Sequence, residues 1–295
     1  AWLCVTFGLI VFSLTGQATG TAATEDSPAI TPVKDARGRW GYIDRTGAIV
    51  IPMTYDTAGP FRDGRAVVSR SRKYGYINSL GEPVTGLQFR DAEPFREGLA
   101  LVTRTGGQRW FVDRAGAAAF HAPTDVVPDD SFSEGLARVR RTESYSRQQC
   151  DLTPSGHVMY QGTCEKHTYG YWDRTGRLAI EPRFDAAGPF CQGVAAVQRG
   201  EHYGLIDRIG MLVVEARYED MAWPAPDPAD GRRAPVCEGT DAPIPVRVGD
   251  RYGFIDAAGR DAIAPQFRWA GSFREGLAII RSDQGYGAID PTGRV

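Results

Sequence analysis

Three sets of side chains in this sequence have the types and spacing to do chemistry. Asp44, Asn78, Asp113, Asp173, Asp207, Asp256 and Asp290 each stand three residues before a glycine. Paired carboxylates are the material of general acid–base catalysis. One carboxylate per stretch, always before x-x-Gly, instead describes a type I turn closed by a left-handed glycine. A second set, Asp63, Glu97, Glu134 and Glu275, lies directly before glycine in Phe-x-acid-Gly-x-Ala. It reads as turn or loop hydrogen bonding, with cation or ligand contacts along one rim as the other reading. The third set is Cys150, His157, Cys164 and His167, four nitrogen and sulfur ligands within 18 residues. Two thiolates and two imidazoles complete a tetrahedral zinc site, yet the six-residue gaps do not match the usual short-knuckle spacing. His121 and His202 have no evident partner. With no nucleophile elbow, His-Glu-x-x-His or phosphate-binding glycine loop in the chain, no catalytic, metal or cofactor-binding residue is assigned. The expectation is a protein that is not an enzyme and carries no cofactor.

The elements that position these residues come from a repeat. An aromatic-Gly-aromatic-aliphatic-Asp phrase recurs at Trp40–Asp44, Tyr74–Asn78, Tyr169–Asp173, Tyr203–Asp207, Tyr252–Asp256 and Tyr286–Asp290, with a degenerate copy at Arg109–Asp113. Glycines 41 and 75, 170 and 204, and 253 and 287 are each 34 residues apart, a repeat-architecture period. Each unit reads as three short strands. The phrase is the first, with Trp40 and Tyr42 on one face and Gly41 and Ile43 on the other. After the turn comes a second strand such as Ala48 to Ile51, then usually a proline. A loop such as Tyr55 to Phe61 leads into a third strand, where Ala66/Val68, Ala100/Val102, Ala137/Val139, Ala195/Val197 and Ala278/Ile280 mark a closely packed face. The recurrent glycine implies close backbone approach or an aromatic ring lying over it. A unit of this size cannot bury its own apolar face, so neighbours must stack on it.

These residues resemble the WG-repeat family, named for the dipeptide that appears literally at Trp40-Gly41, over about residues 39 to 295. The resemblance implies an all-β repeat protein of bacteria, often exported or fused to other modules, without general catalytic activity and without active-site residues to carry over. The fold expected is an all-β, open stacked or superhelical array of three-stranded antiparallel repeats of about 34 residues, six and a half in all; a closed β-propeller is the alternative. The last phrase ends close to Val295, which leaves a partial unit as a cap or marks a truncation.

With 42% hydrophobic and 24% charged residues the chain can bury a sizeable core. A formal net charge of −2 points to neither nucleic acid nor an anionic membrane as partner. Trp2 to Leu14 is an apolar run of 13 residues without a charge. That is short for a membrane span of about 20 residues and fits the apolar region of a signal peptide over residues 1–23; an uncleaved anchor and a buried strand are the alternatives. No basic stretch and no initiator Met precede it, as in a clipped N-terminus. A linker is expected over 24–38. Export to the periplasm or outside the cell makes Cys150, Cys164, Cys191 and Cys237 candidate disulfide cysteines, 150 with 164 locally and 191 with 237 between consecutive repeats.

Two insertions break the period, at about 141–168 and 223–245, the second replacing the Phe-x-acid-Gly-x-Ala phrase of its unit. Insertions in repeats map to loops on one face, often the binding face, although long loops also cost little closure entropy. The function expected is an exported scaffold for protein–protein binding at the bacterial envelope. A carbohydrate- or cell-wall-binding module, with Trp223 and Trp269 stacking on sugar rings, is the alternative. A hydrolase with a composite site is the third reading.

Overall fold

The computed structural model describes residues 30–120, 125–146, 158–160, 163–221 and 242–294, with backbone alone for 146, 158–160, 163 and 164. The expected signal peptide lies outside the described residues, as do Cys150, His157, His121, Trp223 and Cys237. Every element described is a β-strand, and no helix among the described residues is long and apolar enough to cross a membrane. Seven antiparallel sheets follow one another along the chain. Sheet one holds Thr31–Lys34, Trp40–Ile43 and Ile49–Tyr55; sheet two Thr57–Ala58, Arg65–Arg70 and Lys73–Asn78. Sheet three holds Asp91–Ala92, Leu99–Thr103 and Arg109–Asp113. Sheet four is built on Val126–Ser133, Leu136–Ser146, Thr163–Asp173 and Leu178–Phe184, with Val158–Tyr160 beside the third of these. Sheet five holds Ala186–Ala187, Val194–Arg199, His202–Asp207 and Leu212–Tyr218; sheet six Ile244–Val248, Arg251–Ile255 and Asp261–Phe267. Sheet seven holds Trp269–Ala270, Ala278–Ser282 and Gly285–Ile289.

The sheets are chained by strands that two neighbours share. Tyr55 pairs with Trp40 in sheet one, and two residues later Thr57 pairs with Ser69 in sheet two. Phe184 and Ala186, and Phe267 and Trp269, repeat the step. A single bend residue, Asp56, Asp185 or Arg268, separates the two pairings, and its amide already bonds the next sheet. The segment from Tyr55 to Ala58, expected as loop, is therefore largely strand. Residues 31–34 of the expected linker also form a strand, paired with Trp40–Ile43. Pro32 tolerates this because its strand is the sheet edge, where no amide is needed on the open side.

Each sheet packs its aromatic face on the small-residue face of the next. Tyr42 and Ile51 of sheet one meet Ala66, Val68 and Ile77 of sheet two. Tyr76 of sheet two meets Ala100, Val102 and Val112 of sheet three. The pattern continues through six clusters, and none of them joins sheet seven to sheet one. The alanines expected on the packed face, 66, 100, 137, 195 and 278, are 0% exposed, because the partner ring needs the space a longer side chain would fill.

The phrase glycine is required where the last strand of its sheet bulges over it. A Cβ on Gly41 would lie 2.5 Å from the Ile51 carbonyl, and on Gly253 2.6 Å from that of Ile263. The ladder shifts register at both places. Sheet seven has no such strand among the described residues, and a Cβ on Gly287 would meet nothing nearer than Ile280 Cδ1 at 3.6 Å.

The buried phrase tyrosines carry a second bond across the interface. The hydroxyls of Tyr42, Tyr76 and Tyr171 donate to the carbonyls of Gly59, Glu93 and Gly188 at 2.8, 2.6 and 2.6 Å. Burial pushes all three far above the ordinary tyrosine range. Burial and the Asp220 carboxylate, 2.5 Å from its hydroxyl, push Tyr252 up to about 12. These groups hold their protons more tightly folded than unfolded. Their contribution to stability is therefore complete below about pH 10 and lost as pH rises from there through the native values. An absorbance titration should show these tyrosines ionising only together with cooperative unfolding; twelve tyrosines titrating near pH 10 in the folded protein would contradict it.

Candidate functional site

The two periodic sets of acids are structural. Asp44 Oδ1 accepts from the amides of Thr46 and Ala48 at 2.8 and 3.0 Å, and Gly47 takes φ +85° to close the turn. Asn78, Asp113, Asp173, Asp207, Asp256 and Asp290 accept the same pair of amides. The Thr46 and Thr292 hydroxyls, with the turn amides, hold Asp44 and Asp290 below the usual carboxylate range.

In the second set the acid and its glycine both have positive φ, as at Glu97 (+52°) and Gly98 (+82°), which makes a two-residue type I′ hairpin. The carboxylate then reaches the next sheet: Asp63 accepts from the Gly98 amide at 2.6 Å, Glu97 from Gly135 at 2.9 Å and Glu134 from Gly193 at 2.9 Å. This ladder explains Gln192, which stands where the acid would. Sheet six has no following acid–glycine turn among the described residues, and the Gln192 amide donates to the Ala242 carbonyl at 3.1 Å, which a carboxylate could not do. Glu134→Ala should cost about 1 kcal/mol in a denaturant melt, and Glu275→Ala nothing measurable, since Glu275 is exposed with no following turn among the described residues.

The acids that break the period meet between sheets three and four. Glu93 and Asp130 occupy the place of Gly59, Gly188 and Gly271, and Arg138 that of Val67, Leu101 and Ala196. These replacements answer one another. Arg138 pairs with Asp129 at 2.9 Å and Asp130 at 3.3 Å, and Arg109 with Glu93 at 3.5 Å and Asp129 at 3.7 Å. Ser131 donates to Glu93 at 2.5 Å. Burial pushes Glu93 and Asp130 above the usual carboxylate range, the first opposed mainly by the Ser131 bond and the second by Arg138. Buried charges persist only when paired, and these are paired across an interface. A depression of about 250 Å³ lies elsewhere on sheet three, lined by Gln88, Phe89, Arg104, Thr105, Gly106 and Gln108, with no carboxylate or imidazole. The interfacial cluster was legible only by aligning the repeats position by position, since no local motif marks it.

The first insertion is an arm on sheet four. Where sheet two closes its hairpin at Arg70 and Lys73 with two residues, sheet four continues from Arg141 and Thr168 out to Ser146 and Thr163. Val126–Ser133 follows it only to Arg141, so the edge of 142–146 has no strand beside it among the described residues. Arg141 binds Asp125 and Glu181 at 3.1 and 3.4 Å at the base. Of the four residues weighed as zinc ligands, His167 shares a 3.0 Å hydrogen bond with Thr142, Cys164 sits opposite Tyr145, and the other two lie outside the described residues. No group able to hold a metal occurs among the described residues. The second insertion lies largely outside them; Ile244 and Pro245, counted in it, begin a strand instead. Cys191 is 5% exposed and disulfide-bonded, its partner outside the described side chains.

The family model for the WG containing repeat matches residues 40–73, 74–106, 169–201, 203–238 and 252–286, more than half of the chain. The chain belongs to the WG containing repeat family. The stretch between the second and third WG matches, 107–168, carries Arg109, Asp129, Asp130, Arg138 and the arm, so the WG pattern lapses where the side chains depart from it. No curated protein matches the sequence. Among solved structures, BamB from Moraxella catarrhalis is 12% identical with a TM-score of 0.43, over 89% of this chain and 79% of that one. YCF48 bound to D1 peptide is 12% identical, TM-score 0.35, over 83% and 81%. The WD40 β-propeller domain of Doa1 is 10% identical, TM-score 0.33, over 88% of both.

Proposed function

We propose that this WG array is a non-catalytic scaffold, exported to the bacterial envelope or beyond it, that engages a protein partner through the arm of sheet four. The observation that carries this reading is the arm's edge at 142–144, which has no strand beside it among the described residues. An unpaired strand edge offers a row of amides and carbonyls to another chain's strand. The non-catalytic reading draws on the pairing of the nonperiodic acids with Arg109 and Arg138. Export draws on the apolar run Trp2 to Leu14 and on the bonded state of Cys191, since disulfides persist in oxidising compartments. The test is a variant in which 142–167 is replaced by Asn-Gly, closing the hairpin as sheet two does. With an unchanged melt, it should capture at least tenfold less partner from envelope extract than the parent chain. Equal capture by both would refute the arm as the recognition element. A carbohydrate-binding reading draws on the rings of Trp269 and Tyr286, 43% and 75% exposed; saturable quenching of tryptophan fluorescence by cell-wall glycan would favour it.

Cys237 is the partner this reading gives Cys191. Gln192 holds the carbonyl of Ala242, five residues from Cys237. Cys164 stands nine residues up the arm from Asp173, about 30 Å of extended chain. Cys150 and Cys164 then remain the local pair. Peptide mapping without reduction should recover 191 linked to 237; a 191–164 peptide would refute the assignment.

A further inference from the structure

The bend residue between two sheets finds an answering group on the hairpin of the second in sheets two, five, six and seven. Asp56 accepts from the Ser71 amide at 2.6 Å, Asp185 from Gly200 at 2.8 Å and Glu219 from Gly249 at 3.2 Å, and Arg268 pairs with Asp283. Sheet three departs on both sides. Its bend residue is Arg90, whose amide bonds the Thr103 carbonyl. Its hairpin, lengthened to Arg104-Thr105-Gly106-Gly107-Gln108, carries a second arginine and no acid. Lys73 of sheet two adds a third cation, donating to the Thr105 hydroxyl at 3.1 Å. None of the three has a carboxylate partner among the described residues.

Arg104 lines the depression of about 250 Å³ on this sheet, and its guanidinium lies 4.4 Å over the Trp110 ring. Stacking of that kind fixes the plane of the guanidinium and leaves its N–H fork for a planar anion. Gln88 and Gln108 line the same depression, exposed, with no side-chain hydrogen bond among the described residues. A primary amide both donates and accepts, as a hydroxyl does, whereas a carboxylate only accepts. An acidic peptide side chain would use the arginine and leave both amide oxygens without a donor. A sugar acid uses all three groups. The volume is below the roughly 300–1,000 Å³ of drug-sized sites, the scale of one sugar unit.

We propose that this depression binds a carboxylate-bearing sugar unit of an acidic polysaccharide, Arg104 taking the carboxylate and Gln88 and Gln108 the hydroxyls. The site is separate from the arm and stands or falls independently of it.

Amide NMR of the chain titrated with glucuronate, glucose, glutamate and inorganic phosphate tests it. Glucuronate is expected to shift the Gln88 and Gln108 side-chain amides saturably, and to bind about tenfold or more tightly than each of the other three. Arg104→Gln, at an exposed position whose change leaves the melt intact, is expected to bring glucuronate down to the affinity of glucose. Glutamate or phosphate binding as tightly as glucuronate would overturn the sugar assignment. No saturable shift with glucuronate, or an Arg104→Gln variant that binds it as the parent does, would overturn the site itself.

Discussion

Gly253→Ala should lower the melting transition by roughly 6–12 °C, while Gly287→Ala in the next sheet leaves it unchanged. Both glycines hold the same place in the phrase, and neither has a positive φ, so the backbone accepts alanine equally well at each. The difference is the neighbour. At Gly253 the new methyl meets the Ile263 carbonyl at 2.6 Å and the Pro265 nitrogen at 2.7 Å, backbone atoms that move only if the strand Asp261–Phe267 leaves its bulge. Overpacking of this kind costs about 3 kcal/mol, and each kcal/mol shifts a chain of this size by about 2–4 °C. At Gly287 the nearest atom is a side-chain methyl in ordinary contact, so the effect stays within about 0.5 kcal/mol. Paired melts of the two variants check this. Equal shifts would mean the glycine serves something other than the bulge.

The second large effect is expected at Tyr171, fully buried in the fourth interface with its ring 4.7 Å from Phe190. Tyr171→Ala opens a cavity and should cost about 3–5 kcal/mol. Tyr171→Phe keeps the ring and leaves the Gly188 carbonyl without its 2.6 Å partner, for about 1–3 kcal/mol. Urea unfolding of both variants should rank them in that order. A Phe variant as damaging as the Ala variant would put the hydroxyl ahead of the ring. The natural control is Ala288 of sheet seven, at the same place, with no next sheet to pack against among the described residues.

What the sequence shows of this fold follows what is local. The phrase, the Asp-x-x-Gly turn and the Ala/Val face depend on residues a few positions apart, and they fold as their chemistry dictates. The strand shared by two sheets was not legible, because Tyr55-Asp56-Thr57-Ala58 joins a turn-favouring Asp to strand formers and only the pairing partners, Trp40 and Ser69, decide between them. The arm was visible as an insertion but not as strands. Thr142-Glu143-Ser144, exposed, and Glu165-Lys166-His167, half-buried, are all polar, so no alternation of apolar and polar residues announces a sheet. Gln192 stands in place of the acid of its phrase, and its reason lies fifty residues away, in the Ala242 carbonyl to which it donates.

Hydrogen exchange of the array alone and bound to a partner from the envelope tests the scaffold reading most directly. Protection that appears on 142–146 and 163–168 of the arm, with the seven repeat phrases unchanged, is the result this account predicts. A footprint confined to the repeat sheets, with the arm exchanging as freely as before, would contradict it.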